Sequence, residues 1–169
     1  MSTSTQATSA RPASRTDYQL RLFSGVPLYT TRLVREADLP FAERVQVNTP
    51  ADVAALLIEY FADKDREEFI VVLLSTANVV TGVSVVSVGG LAASIVEPRQ
   101  VFKTAILANA AAIICAHNHP SSNPTPSRED IRITQQLVEA GKLMGVPVHD
   151  SLIIVEEGYT SLAESGLMG

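Results

Sequence analysis

From Phe69 to Val96 the chain contains no Asp, Glu, Lys or Arg, and valine recurs throughout. A charge-free run of this length is compatible with a membrane-spanning helix or with strands buried on both faces. The run is interrupted by Ser75-Thr76-Ala77-Asn78, by Gly82 and by Gly89-Gly90. No uninterrupted piece supplies the roughly 20 apolar residues that a spanning helix requires. Breaks between short β-branched runs instead mark buried strands.

Strands are therefore predicted at Phe69–Leu74, once or twice within Val79–Val88, and at Leu91–Val96. Thr49, Pro50 and Asp52 form a helix-start signal, since Thr caps, Pro suits the first helical position and Asp completes a capping box. Val53, Leu56, Leu57 and Tyr60 follow at helical spacing, which predicts a helix over 50–62. A second helix is predicted from Pro98 to about Asn109, and a third from Ser127 to near Gly145. Ala111–Ala116 reads as a buried strand between them, and Val146–Val155 and Tyr159–Leu162 as closing strands. Helices alternating with buried strands predict an α/β fold with a single mixed β-sheet sandwiched by helices. Upstream, Tyr18–Phe23 and Leu28–Val34 flank a Ser-Gly-Val-Pro turn and predict a hairpin, with another short strand near Val45–Val47. The expected organisation is a disordered tail over 1–16, N-terminal strands over 17–48 and the main domain over 49–169.

Composition narrows the function. Hydrophobic residues at 46% against charged residues at 18% exclude a disordered chain. A single cysteine excludes a disulfide framework and a Cys-rich zinc site. The net charge of −5 argues against a wide phosphate-binding face. The charge is uneven: residues 1–35 carry five Arg against Asp17 alone, which leaves a small anionic contact open. Met1–Ser14 is rich in Ser and Thr and lacks the apolar stretch of a signal peptide, so the expected location is cytoplasmic, with no membrane partner.

The chemistry concentrates in His117-Asn118-His119-Pro120-Ser121-Ser122-Asn123-Pro124-Thr125-Pro126-Ser127-Arg128-Glu129-Asp130. Histidines at i and i+2 leaving a strand project to one side, while Asn118 points away. Three prolines stiffen the loop. Asp130 falls in the first turn of the following helix, where a carboxylate is favoured. If the loop folds back, two neutral imidazoles and one carboxylate give a cation three ligands and leave one position open. His-x-His alone is a weak signal, and Ser-x-x-Asp alone is a capping box. Their combination in one strand–loop–helix unit points to a metal site.

This run resembles the signature of the JAMM metallopeptidases of MPN-domain type: His-x-His, an early Pro, then Ser-x-x-Asp. Within that superfamily it is most similar to the RadC family, which has a like His-Asn-His-Pro-Ser segment followed by Pro-x-Pro-Ser-x-x-Asp. The similarity extends to Glu68-Phe69, Val85–Gly89, Pro98-Arg99-x-Val101-Phe102-Lys103, Asn109–Ile114 and Glu139–Lys142, covering roughly residues 45–165. The resemblance implies a cytidine-deaminase-like, JAMM-type architecture and a zinc-dependent hydrolase of peptide or isopeptide bonds holding one Zn2+ per chain. It implies that His117, His119 and Asp130 ligate zinc and that Ser127 hydrogen-bonds the developing oxyanion. It further implies a glutamate general base, expected at Glu68 because that residue directly precedes the aromatic-led strand, with Glu67 as the competing candidate.

Several positions depart from the family pattern. Glu97 stands where His is usual, Ser151 follows Asp150 where His is usual, and Ser122 replaces a common Gly. The helix-hairpin-helix-like segment of full-length members has no counterpart here, which puts DNA contacts through it in doubt. Cys115 is expected to be a buried structural thiol, His149 a strand residue, and Lys103 and Arg99 surface charges. Two other readings stay open. One is a DNA-repair or mobile-element accessory protein, supported only by the Arg-bearing segment. The other is a metal-stabilised interaction module without turnover, whose edge strands could pair with a peptide or with a second copy in a homo-oligomer.

Overall fold

The computed structural model describes residues 29–36, 45–89 and 96–169. The chain divides into two units, Met1–Arg32 and Leu33–Gly169. Only residues 29–32 of the first are described, and they form no regular element. The expected tail over 1–16, the strand at 18–23 and most of the possible strand at 91–96 lie outside the described residues. The return strand expected over 28–34 is not formed at 29–34. Leu33 and Val34 are exposed there, with no core face among the described residues to receive them.

In the second unit, Asp52 accepts the backbone N–H groups of Asn48 and Thr49 at 2.8 and 2.7 Å and opens helix α1, Pro50–Phe61. Strand β1 is Glu68–Leu74, β2 Val80–Val88, β3 Ala112–Asn118, β4 Val148–Val155 and β5 Gly158–Ser161. Helix α2 spans Pro98–Leu107 and α3 Arg128–Met144. The short strand expected near 45–47 is a single bridge, Gln46 to Val79, beside which Val47 enters the core.

The five strands form one mixed sheet in the order β2-β1-β3-β4-β5. Only β3 and β4 are parallel, joined by the α3 crossover; the other neighbours are antiparallel. β1 and β3 are buried along their whole length, which is why both read as unbroken apolar runs rather than alternations. On one face Val53, Leu57 and Phe61 of α1 pack on Ile70, Val72, Leu74, Ile114, Ala116 and Leu152. On the other, Val101, Phe102 and Ala105 of α2 and Ile133 and Leu137 of α3 cover Phe69, Val71, Ile113 and Cys115. The sandwich expected from sequence is present. Among the described residues no helix is long and apolar enough to cross a membrane.

Two consequences position the site. Because β1 and β3 run antiparallel, with Phe69 opposite His117, the start of β1 and the end of β3 meet at one end of the sheet. Because side chains alternate along each strand, that end presents different residues to the α1 face and to the α2/α3 face.

Candidate metal centre

His117 ends the inward series Ile113, Cys115, His117 and so lies on the α2/α3 face, stacked on Phe69 with ring centroids 6.1 Å apart. It is 2% exposed. His119 follows the last residue of β3, anchored by its N–H to the Ile154 carbonyl at 2.9 Å. Its Nδ1 lies 2.7 Å from the Asn123 carbonyl, an arrangement in which Nδ1–H donates and the Nε2 lone pair turns inward. The proline loop supplies that carbonyl and is tied down in turn by Thr160 Oγ1, which donates to the Pro124 carbonyl at 2.8 Å.

Ser127 and Asp130 form the predicted capping box. The Asp130 N–H donates to Ser127 Oγ at 3.1 Å, and the Ser127 N–H donates to Asp130 Oδ2 at 2.7 Å. The box fixes the carboxylate at the mouth of α3 with Oδ1 3.3 Å from His117 Nε2 and Oδ2 3.8 Å from His119 Nε2. Burial alone would raise the Asp130 carboxyl. Hydrogen bonds with His117 and Ser127 outweigh it and hold the group down at about 2, so it is anionic at neutral pH.

The geometry can be tested against a cation. The two Nε2 atoms are 3.0 Å apart, and the three side chains offer ligand atoms all within 4.8 Å of one another. Zinc bonds of about 2.0–2.1 Å to nitrogen and oxygen in a tetrahedron set ligands about 3.3 Å apart. The two Nε2 atoms at 3.0 Å and His117 Nε2 to Asp130 Oδ1 at 3.3 Å lie near that edge, while the 3.8 Å from His119 Nε2 is measured to the other carboxylate oxygen, Oδ2. Two neutral imidazoles and one carboxylate also suit a divalent cation in charge and donor type. The set can therefore hold a metal ion.

The structure does not bring Glu68 to this cluster. Its carboxylate lies on the α1 face, where Tyr60 donates to Oε2 at 3.1 Å and Lys64 Nζ pairs with Oε1 at 3.0 Å. The reason is the pleat: Glu68 shares the side of Ile70 and Val72, whereas His117 shares the side of Phe69. Counting back two from Phe69 reaches Glu67. That residue lines a cavity of about 300 Å³ together with His119, Ser121, Asn123, Thr125, Ser127, Glu129 and Asp130. Of the two candidate glutamates, the one that lines this cavity is thus Glu67, the competing candidate, and the expectation of Glu68 at the site is corrected.

The departures also find places. Ser122 adopts a left-handed φ of 57°, which accounts for the glycine usual there. Ser151 is buried and its Oγ accepts from Thr134 Oγ1 at 3.0 Å. Glu97 is the N-cap residue of α2 and pairs with Arg99. Cys115 is fully buried, and burial together with the Asp150 charge pushes its thiol up to about 12, so it is inert at neutral pH. His149 is an exposed residue of β4.

Comparison with known proteins agrees with this geometry. A family model described as "RadC-like JAB domain" matches residues 47–167. A UPF0758 protein of Salinibacter ruber is 61% identical over 126 residues, covering 75% of this chain and 54% of the relative. A UPF0758 protein of Desulforamulus reducens is 46% identical over 134 residues (79% and 59%), and one of Methanosarcina acetivorans 46% over 123 residues (73% and 54%). The chain spans a little over half the length of these curated relatives. With the match covering the whole sheet, all three helices and the His117–Asp130 unit, the chain belongs to the RadC family through its RadC-like JAB domain.

Proposed function

We propose that the chain is a zinc-dependent hydrolase of peptide or isopeptide bonds, with His117, His119 and Asp130 as metal ligands, Glu67 as general base and Ser127 as oxyanion donor. The observation that carries this reading is the convergence of three metal-ligating groups, with donor atoms within 4.8 Å of one another, beside a cavity that Glu67 and Ser127 also line. Zinc, when bound, polarises a carbonyl and brings the pKa of its water to about 7.

The chain's own groups divide the remaining work. Glu67 lies outside the ligand set but on the same cavity, so its carboxylate can accept a proton there and return it to a leaving amine. Ser127 Oγ accepts the Asp130 N–H, and its hydroxyl proton, which otherwise serves the Asp130 carboxylate, is the one it would donate to an oxyanion. The His119–Asn123 and Ser127–Asp130 hydrogen bonds hold the donors in place, so little reorganisation is required.

The test is a paired comparison of Glu67→Gln and Glu68→Gln on zinc-loaded protein. Metal content is measured by elemental analysis, and turnover by the appearance of new amines from a peptide library. The expected result is one zinc per chain in both variants, with turnover about 10²–10⁴-fold lower in Glu67→Gln and near wild type in Glu68→Gln. Full turnover in Glu67→Gln would remove it as the base, and loss of zinc in that variant would make it a ligand instead.

A further inference from the structure

We infer that Asn118, the residue between the two histidines, is a positioning residue that sets Glu67 against the metal ligands; this rests on the proposed role of Glu67. The side chain of Asn118 is 4% exposed and turns away from the imidazoles, toward the start of β1. Its Oδ1 accepts the Glu68 N–H at 2.7 Å, and its Nδ2 donates to the Arg66 carbonyl at 2.9 Å. Both halves of one amide are thus spent on the two backbone groups that flank Glu67. The assignment is not reversible. A flipped amide would set NH2 against N–H and oxygen against oxygen.

The clamp matters because the ladder stops short of it. Backbone pairing between β1 and β3 ends at Phe69 opposite His117. Beyond that point the Arg66–Glu68 backbone is tied to β3 through Asn118. On its other side, the Gly89 N–H donates to the Glu67 carbonyl at 2.8 Å. Three consecutive backbone positions are therefore held, and the residue at their centre lines the cavity. The outcome is a common frame. One strand end carries His117 on one side of the pleat and, on the other, the amide that locates the carboxylate. Aspartate at 118 could still accept from Glu68 but would oppose the Arg66 carbonyl. Serine could not span both groups.

The experiment uses the 169-residue chain loaded with Co2+, in wild type, Asn118→Asp, Glu67→Gln and the double variant, with Asn118→Ser as the second substitution at the clamp. The visible cobalt spectrum gives metal affinity and, on titration, a pH midpoint that responds to a neighbouring carboxylate. We expect Co2+ affinity within about threefold of wild type in every variant, because the ligands lie on the other side of the pleat. Asn118→Ser should move the pH midpoint in the same direction as Glu67→Gln, with no further shift when the two are combined; Asn118→Asp adds a charge of its own and is read for Co2+ affinity and kcat alone. Where turnover is measurable, Asn118→Asp or Asn118→Ser should lower kcat about tenfold to a hundredfold at unchanged KM. The same change in the Glu67→Gln background should lower it less than about threefold. Additive effects, or a fall in Co2+ affinity that parallels the loss of kcat, would overturn the inference while leaving Glu67 as base. An unaltered midpoint and kcat in Glu67→Gln would remove both.

Discussion

Replacing Asp130 by Asn separates the cap this carboxylate forms from the ligand role proposed for it. As a cap it accepts the Ser127 N–H at 2.7 Å, and an amide oxygen can accept the same hydrogen bond. As a ligand it supplies a negative charge 3.3 Å from His117 Nε2, which an amide cannot. Metal-free Asp130→Asn should therefore lose no more than about 1 kcal/mol, the usual worth of a cap. Zinc binding should fall at least about a hundredfold, since even partners outside the ligand set are worth 10–100-fold. At free zinc one hundred times the wild-type Kd, the native state gains about 2.7 kcal/mol, roughly 10 °C in Tm for a domain of this size. At the same zinc concentration the variant sits at or below its own Kd and gains at most about 0.4 kcal/mol. The assay is urea unfolding with and without zinc, with a chelator control. Metal binding to the histidines of the unfolded chain reduces both gains, so the difference between the proteins is the quantity to read. A zinc-dependent gain in Asp130→Asn equal to that of wild type, or no gain in wild type, would refute a ligand role for Asp130.

Three further predictions concern the frame around the site. Gly141 lies in α3 where an added Cβ would meet the Val146 carbonyl oxygen at 2.6 Å and Phe102 Cζ at 3.3 Å. Gly141→Ala should destabilise by roughly 2 kcal/mol in urea unfolding, the overpacking cost exceeding the helix-propensity gain of about 1 kcal/mol; a stabilised variant would show that the α2–α3–β4 contact is looser. Ser122→Gly should stabilise by roughly 0.5–1 kcal/mol, because Ser122 holds a φ of 57°. Burial, then the charge of Glu68 and its hydrogen bond, raise the Tyr60 phenol to about 12, so its stabilising contribution is intact below pH 10 and is lost as pH rises toward 12. Absorbance titration of phenolate should show one late tyrosine that disappears in Tyr60→Phe and moves down in Glu68→Gln.

How far the sequence could be read follows from where the information sits. The helix starts at Thr49–Asp52 and Ser127–Asp130 were legible because capping is local: four residues contain donor, acceptor and spacing. The buried strands were legible because β1 and β3 are covered on both faces and carry an unbroken apolar run. The cluster that could hold a metal was legible because three donors fall within one strand–loop–helix unit. The choice between the two glutamates was not local. Glu67 and Glu68 are chemically identical neighbours, and only the pairing of Phe69 with His117 decides which one shares the histidines' side. That register belongs to two strands far apart in the chain, joined through β2 and α2, and a slip of one residue would exchange the two glutamates. The strand expected at 28–34 is not formed over 29–34, where Leu33 and Val34 are exposed.

The pleat that separates the two glutamates also separates two electrostatic tasks. On the α1 side, Glu68 is occupied by Lys64 and Tyr60, and Asn118 fills the hydrogen-bonding needs of the Arg66–Glu68 backbone. On the α3 side, two neutral imidazoles and the Asp130 carboxylate would leave a divalent cation with one positive charge, beside the cavity that Glu67 also lines. Glu129, the other acid there, is matched by Arg132 one turn along α3. On the proposed reading, a cation and a separate carboxylate on one cavity would respond as charge develops on a carbonyl substrate, which is the condition for favouring the transition state over the substrate. Moving the carboxylate to position 68 would keep the composition and the fold while placing it on the other side of the pleat, so the proposed function depends on one residue of register.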